Sequence, residues 1–163
     1  MGIVLARIDN RLLHGITATQ WAPKLGVQRV MVIDDETAGN PMMKEGMKMA
    51  RPAGMSISII PYEKAAANLK AGKYGNEKIF VLTKHIQTLQ KLIEETGILI
   101  KEINYGATAQ RPDEAGLIRI NKFAAMDQDE QKAVHKLLDL GVHIYAQYLI
   151  KDSVQELQLL LKK

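Results

Sequence analysis

Arg29-Val30-Met31-Val32-Ile33-Asp34-Asp35-Glu36 is the stretch on which the fold turns. From Val30 to Ile33 no polar residue alternates with the apolar ones, so both faces of this strand are destined for burial. That is how strands read in a parallel sheet covered by helices on both sides. The acidic trio closes the strand. Pro41 then stands where a proline opens a helix, and Met42, Met43, Gly46, Met47 and Ala50 follow at helical spacing. A methionine-rich face can serve as an adaptable binding surface, but at this spacing it reads as core.

The same alternation extends in both directions. Upstream, Ile3 to Ile8 is an apolar strand, and Thr17 to Leu25 reads as a helix stopped by Gly26. Downstream, the strands are Met55 to Ile60, Ile79 to Leu82 and Ile98 to Tyr105, separated by helices over Tyr62 to Leu69 and Ile86 to Glu95. After Tyr105 the rhythm breaks. Gly106 to Gly116 is loop-like, and Leu117 to Ile120 is a short strand. This segment is too short for a crossover helix, so an antiparallel strand is expected to enter here. A helix over Asp127 to Leu140 carries acids in its first turn, where the helix dipole favours them. A strand over Val142 to Leu149 follows. Ser153-Val154-Gln155-Glu156 has the form of a capping box opening a last helix, Val154 to Leu161. Strands alternating with helices give an α/β fold. The expectation is a single domain over residues 1–163, an open, mostly parallel twisted sheet with helices on both faces and an antiparallel strand in the C-terminal half.

Composition narrows the function. No run reaches the roughly 18 apolar residues of a membrane span, and Arg7 and Asp9 interrupt the N-terminal apolar segment too early for a signal peptide. The absence of cysteine removes disulfides, thiolate metal sites and cysteine nucleophiles, and fits a cytoplasmic protein. The net charge of +4 is scattered among acids, without a basic stripe or interleaved aromatics, so nucleic acid is not an expected partner. An anionic ligand or an acidic protein is.

In open parallel sheets ligands bind beyond the carboxyl ends of the strands. The turns there lack G-x-G-x-x-G, G-x-x-x-x-G-K-[ST] and G-x-S-x-G, and Pro61 stands where a receiver domain would need an aspartate. The first turn instead holds Arg7-Ile8-Asp9-Asn10-Arg11-Leu12-Leu13-His14-Gly15. Neutral imidazole is a nitrogen nucleophile available near neutral pH. Guanidinium forks bind phosphoryl oxygens and neutralise their charge. Asp9 either orients the imidazole or holds an arginine, and Gly15 and the helix start behind it favour an incoming anion. Arg11, three residues before His14, is expected to lie beside the imidazole. On residues alone, a structural salt bridge and an incidental histidine compete with this phosphoryl site.

RIDNRLLHG closely resembles the R-[IV]-D-x-R-[LI]-[LI]-H-G motif of IIB components of the mannose/fructose/sorbose family of the bacterial sugar phosphotransferase system. The resemblance continues through Thr19-Gln20-Trp21, Val32 to Glu36, Ala50-Arg51-Pro52-Ala53-Gly54, Ile103-Asn104-Tyr105-Gly106 and Leu138 to Gly141. It implies that His14 accepts a phosphoryl group from a phospho-IIA protein and delivers it to a sugar held by membrane IIC and IID components. Arg11 and Arg7 would contact the phosphoryl group, with Asp9 as their local partner. It further implies an open parallel sheet, no cofactor or metal, a cytoplasmic location at the transporter, and a homodimer in some members. Because the chain opens directly on its first strand, a separate IIA polypeptide is expected unless the chain is a cut fragment.

Two turns depart from the family pattern. Asn104 to Thr108 stands where N-x-G-G-M is common, and Thr83-Lys84-His85 where a T-N-P-like turn is. The roles of Asp34, Asp35, Thr83, His85, Asn104 and Gly106 therefore stay open. His85 reads as an exposed helix-start residue, and His135 and His143 as structural or surface residues. The competing functions are a non-catalytic module that binds a phosphorylated small molecule and, more weakly, a metal hydrolase, since His14 has no histidine at i+2 or i+4.

Overall fold

The computed structural model describes residues 2–161. Strand β1 (Gly2–Asp9) leads into helix α1, π-helical over Thr17–Trp21 and α-helical over Ala22–Leu25. There follow β2 (Arg29–Ile33), α2 (Asp35–Ala38), α3 (Pro41–Lys48), β3 (Ser56–Ile60), α4 (Tyr62–Lys70), β4 (Lys78–Thr83), α5 (Ile86–Thr96) and β5 (Glu102–Ala107). The chain then forms β6 (Ile118–Arg119), β7 (Ala125–Met126), α6 (Gln128–Asp139), β8 (His143–Ala146), β9 (Gln155–Glu156) and α7 (Leu157–Leu161).

The main sheet has the order β3-β2-β4-β1-β5-β8-β9, with every pair parallel except β8 and β9. Alternate side chains of each strand feed two cores. On one face Leu5, Val30, Val32, Phe80 and Leu82 pack with Trp21 and Ala22 of α1, and with Met47 beneath α3. On the other, Ala6, Ile8, Met31, Val81 and Ile103 meet Leu69 of α4, Leu89 of α5 and Leu137 of α6. Each large aliphatic side chain buried this way contributes roughly 1.5–3 kcal/mol, so the two-sided strands read off the sequence hold the sheet.

Chain direction then selects the site. After β1 the chain turns to the α1 face, whereas after the neighbouring β4 and β5 it turns to the opposite face. The loops thus diverge at the carboxyl end of β1, a topological switch point, which is where ligands bind in open α/β sheets.

Several expectations are corrected. The helix after β1 is π-wound through Trp21 because Pro23 has no amide to donate to the turn behind it. The strand expected from Ile98 begins at Glu102, since the left-handed Gly97 ends α5 and the chain must first return to the sheet. An antiparallel strand does lie in the 105–120 segment, but outside the main sheet. There, β6 pairs with β7 in a separate two-stranded ribbon, and β9 is the antiparallel strand of the main sheet. Ser153 to Glu156 is not a capping box either. Gln155 and Glu156 pair with Ala146 and Tyr145, and Glu156 also binds His143, which outweighs the local helix-start signal. A capping box does form at α6, between Asp127 and Glu130. Finally, the methionine face of α3 is core only in part: Met47 and Ala50 pack against the sheet, whereas Met42 is 84% exposed, because only the Met47 side of α3 reaches the sheet.

Candidate functional site

His14 sits in the turn after β1 with the local partners Asp9, Ile16 and Thr17, while the groups that hold Arg7 come from β5 and from the segment after β8. Arg7 and Asp9 lie two apart on β1, so their side chains share the α1 face. Asn104 is Arg7's neighbour on β5. One strand further, Gln147 follows β8.

Asp9 is the hub. One of its carboxylate oxygens, Oδ2, accepts from Arg7 Nε and Nη2, both at 3.1 Å, and lies 3.1 Å from His14 Nε2. The other, Oδ1, accepts from the Arg11 amide at 3.0 Å, which folds the turn back on the strand. The Arg7 guanidinium also donates from Nη1 to Asn104 Oδ1 at 2.8 Å and to the Gln147 carbonyl at 3.2 Å. Its flat face lies 4.8 Å from the centre of the Trp21 ring. Both charged side chains are fully buried. Burial pushes the Asp9 carboxyl up, but the bond from His14 and the charge of Arg7 overcome it and hold Asp9 below the ordinary carboxylate value. Burial draws Arg7 down against the opposing pull of Asp9.

The sheet makes room for this ion pair with a bulge. Ile8 pairs with Tyr105 and Asp9 with Ala107, so Gly106 is the extra residue. Any Cβ at Gly106 would run into the Arg7 guanidinium, which explains the glycine there by close approach.

The turn from Arg11 to His14 is held under strain. Leu12 is buried with a positive φ of 59°, a conformation rarely adopted by leucine. Thr17 locks it: its hydroxyl accepts from the His14 amide at 2.9 Å and lies 3.0 Å from the Leu12 carbonyl as donor. The imidazole is thereby fixed, with Nε2 on Asp9 and Nδ1 facing the Ile16 amide at 3.4 Å. Nothing crowds Gly15.

Arg11 is exposed and does not touch the imidazole; its Nη2 donates to the Tyr148 hydroxyl at 2.9 Å. Tyr148 stacks on Phe123 with 3.8 Å between ring centres, and its carbonyl accepts from Trp21 Nε1 at 3.1 Å. The structure thus brings Arg7, Asp9 and His14 into one bonded chain and sets Arg11 at its rim. Asn104 and Gly106, left open by the sequence, belong to the support of Arg7. Asp34, Asp35, Thr83 and His85 line a different cavity, over β2 and β4. Sequence reasoning missed Thr17, Gln147 and Tyr148. The spacing of Thr17, three residues after His14, is a local signal that was available, whereas Gln147 and Tyr148 are remote and carried none. Among the described residues no helix is long and apolar enough to cross a membrane.

Comparison with known proteins places this geometry. A family model described as PTS system sorbose subfamily IIB component matches residues 3–163. The sorbose-specific EIIB component of Lacticaseibacillus casei is 32% identical over 88% of this chain and 85% of its own length. The mannose-specific EIIAB component of Escherichia coli K12 is 28% identical over all of this chain, which matches 49% of that longer protein. The crystal structure of the IIBSor domain of the Klebsiella pneumoniae sorbose permease superposes with a TM-score of 0.87 at 28% identity, covering 96% of this chain and 94% of that one. The strained loop, the Asp9-bound histidine and the sheet that carries them therefore sit in a chain that belongs to the sorbose subfamily of phosphotransferase-system IIB components, proteins of sugar phosphotransfer.

Proposed function

We propose that the chain, acting as one IIB unit, carries a phosphoryl group on Nδ1 of His14, receives it from a phosphorylated IIA protein and passes it to a sugar held by membrane IIC and IID components. The observation that carries this reading is the Asp9–His14 contact at Nε2, 3.1 Å. A carboxylate there favours the tautomer with its proton on Nε2, which leaves the lone pair on Nδ1. That lone pair attacks phosphorus, the bond to the donor nitrogen breaks, and the donor imidazole departs with the bonding electrons. The Nε2 proton stays on its bond to Asp9, whose charge stabilises the cationic ring that forms. In the second half the sugar hydroxyl attacks phosphorus and gives its proton to water, while the bond between phosphorus and Nδ1 breaks and returns its electrons to His14 as the lone pair.

Nδ1 faces the start of α1, where the Ile16 amide points at it. Amides at a helix start stabilise phosphoryl oxygens. Arg7 has no free surface and four bonds to its own protein, so it acts through Asp9 rather than on the phosphoryl group. Arg11, exposed and with its guanidinium bonded among the described residues to Tyr148, is the arginine able to swing onto it. On this reading the protein works in the cytoplasm, at the inner side of its transporter. The E. coli relative that carries IIA and IIB together supports a IIA donor.

The test is incubation with phosphoenolpyruvate, the general phosphotransferase proteins and a cognate IIA. A phosphoryl–imidazole adduct survives alkali and is lost in mild acid, and phosphorus NMR separates the two nitrogens. Label on Nδ1 that disappears in His14→Ala is expected. An acid-stable adduct, or label retained in His14→Ala, overturns the assignment.

A further inference from the structure

We propose that the groove along the free edge of β3, between α3 and α4, docks an acidic extended segment of a partner protein. β3 is the end strand of the main sheet and pairs only with β2. Beside it lies a cavity of about 340 Å³ whose charged walls are Lys44 and Lys48 of α3, Lys64 of α4, Lys73, Arg29 and Glu77. Glu77 is its sole carboxylate and is already taken by Arg29, at 2.6 and 3.3 Å. Among the described residues, no carboxylate lies in ion-pair reach of Lys44, Lys64 or Lys73, and Lys48 has only its exposed neighbour Glu45 at 3.3 Å. The groove thus gathers an excess of positive charge as large as that of the whole chain, +4.

Lysines on an edge strand commonly guard it against pairing with another sheet. That explanation does not account for this arrangement, because β3 itself, Ser56-Ile57-Ser58-Ile59-Ile60, carries no charge. The cations arrive instead from helices on both sides and line a trough. Like charges held together repel, and a polyanion entering the trough removes that cost.

Two observations define the occupant. Met42 of α3 and Met49 just after it are almost fully exposed, outside the lining of the groove. A segment that mixes acidic and apolar residues and continues past the groove over α3 meets them as adaptable apolar contact. The site is also recessed, with Ser58, Asn68 and Tyr74 among its lining. A flat bilayer would leave these unfilled, whereas an extended chain reaches them. Tyr74 does not serve as a stacking platform for a base, since Arg29 already covers its ring at 4.9 Å. No lining residue is shared with the Asp9–His14 site, so a partner held here leaves that site free. The inference stands whether or not His14 carries phosphate.

The experiment is a titration of isotope-labelled protein with a short peptide of alternating glutamates and leucines, followed by amide NMR shifts at about 0.1 M ionic strength. Saturable shifts at Ile57, Lys44, Lys64 and Lys73 are expected. They should weaken at least about tenfold in the triple variant K44E/K64E/K73E, the scale on which complementary charge is felt. Thermal melts should coincide, because those lysines make no ion pairs. Absence of saturable binding, or binding that the triple variant leaves unchanged, overturns the proposal. So does lysine-dependent binding of phosphatidylglycerol vesicles or duplex DNA without binding of the peptide.

Discussion

Replacing Asp9 by asparagine tests the hub of the site with the smallest change in shape. The carboxylate serves Arg7 twice and His14 once through Oδ2, and the Arg11 amide through Oδ1. An asparagine offers one oxygen and one NH2 group. If its oxygen faces Arg7, its NH2 meets the Arg11 amide donor; if it is flipped, its NH2 meets the two guanidinium donors. Either way a donor opposes a donor, and Arg7 becomes a buried charge without a counter-charge. Breaking one side of a buried pair costs about 3–5 kcal/mol. For a chain of this size each kcal/mol moves the midpoint by roughly 2–4 °C, so Asp9→Asn should melt roughly 6–20 °C below wild type at pH 7. The carboxylate is held below its ordinary value in the fold. Its contribution is therefore complete above the unfolded value of about 3.9 and is lost as pH falls through the lower folded one. The gap between the two proteins should accordingly close in acid. Adding Arg7→Met to Asp9→Asn removes the stranded charge and should recover part of the stability. Single-turnover transfer from phospho-IIA should stay slow in both variants, on the order of 10²- to 10⁴-fold, because the imidazole has lost the group that sets its tautomer. The reasoning is refuted if Asp9→Asn melts with wild type, or if the double variant melts lower than either single change.

Three further outcomes follow from the same contacts. Gly106→Ala should drive a methyl group into an Arg7 guanidinium that four bonds hold still, lowering stability by about 1–3 kcal/mol in chemical denaturation; an unchanged midpoint would show that Arg7 moves freely. Arg11→Lys should leave the melt intact, because Arg11 is exposed, yet slow transfer by roughly 30- to 1,000-fold, equivalent to about 2–4 kcal/mol for one positioned donor; wild-type transfer would make Arg11 an ordinary surface charge. At the far end of the sheet, burial draws the His143 imidazole down, but its bonds to Glu102 and Glu156 outweigh this and raise it. The stability it adds is present below about pH 6.5 and lost as pH rises through the raised value. His143→Gln should thus lower the denaturation midpoint at pH 6 and leave it unchanged at pH 10, and equal effects at both would refute the ion-pair reading.

What the sequence determined by itself is what short-range physics can encode. Val30 to Ile33 and Ile79 to Leu82 contain no alternation, so they had to be buried on both faces, and a two-face burial forces helices onto both sides of a parallel sheet. The phosphoryl-site candidates lie within eight consecutive residues, Arg7 to His14, and were visible as a cluster for that reason. Tertiary structure decided the rest, because the deciding partners are remote. Arg7 and Arg11 look equivalent in the string, yet Asn104, Gln147 and the bulge at Gly106 bury the first, while Tyr148 holds the second at the surface. The methionines of α3 have core spacing, but a helix on the flank of the end strands finds sheet to cover only beneath Met47. At Ser153 to Glu156 a local helix signal lost to a strand pairing and to His143, thirteen residues before Glu156. Local propensity is worth tenths of a kcal/mol to about one per residue, and contacts made across the fold outweigh it.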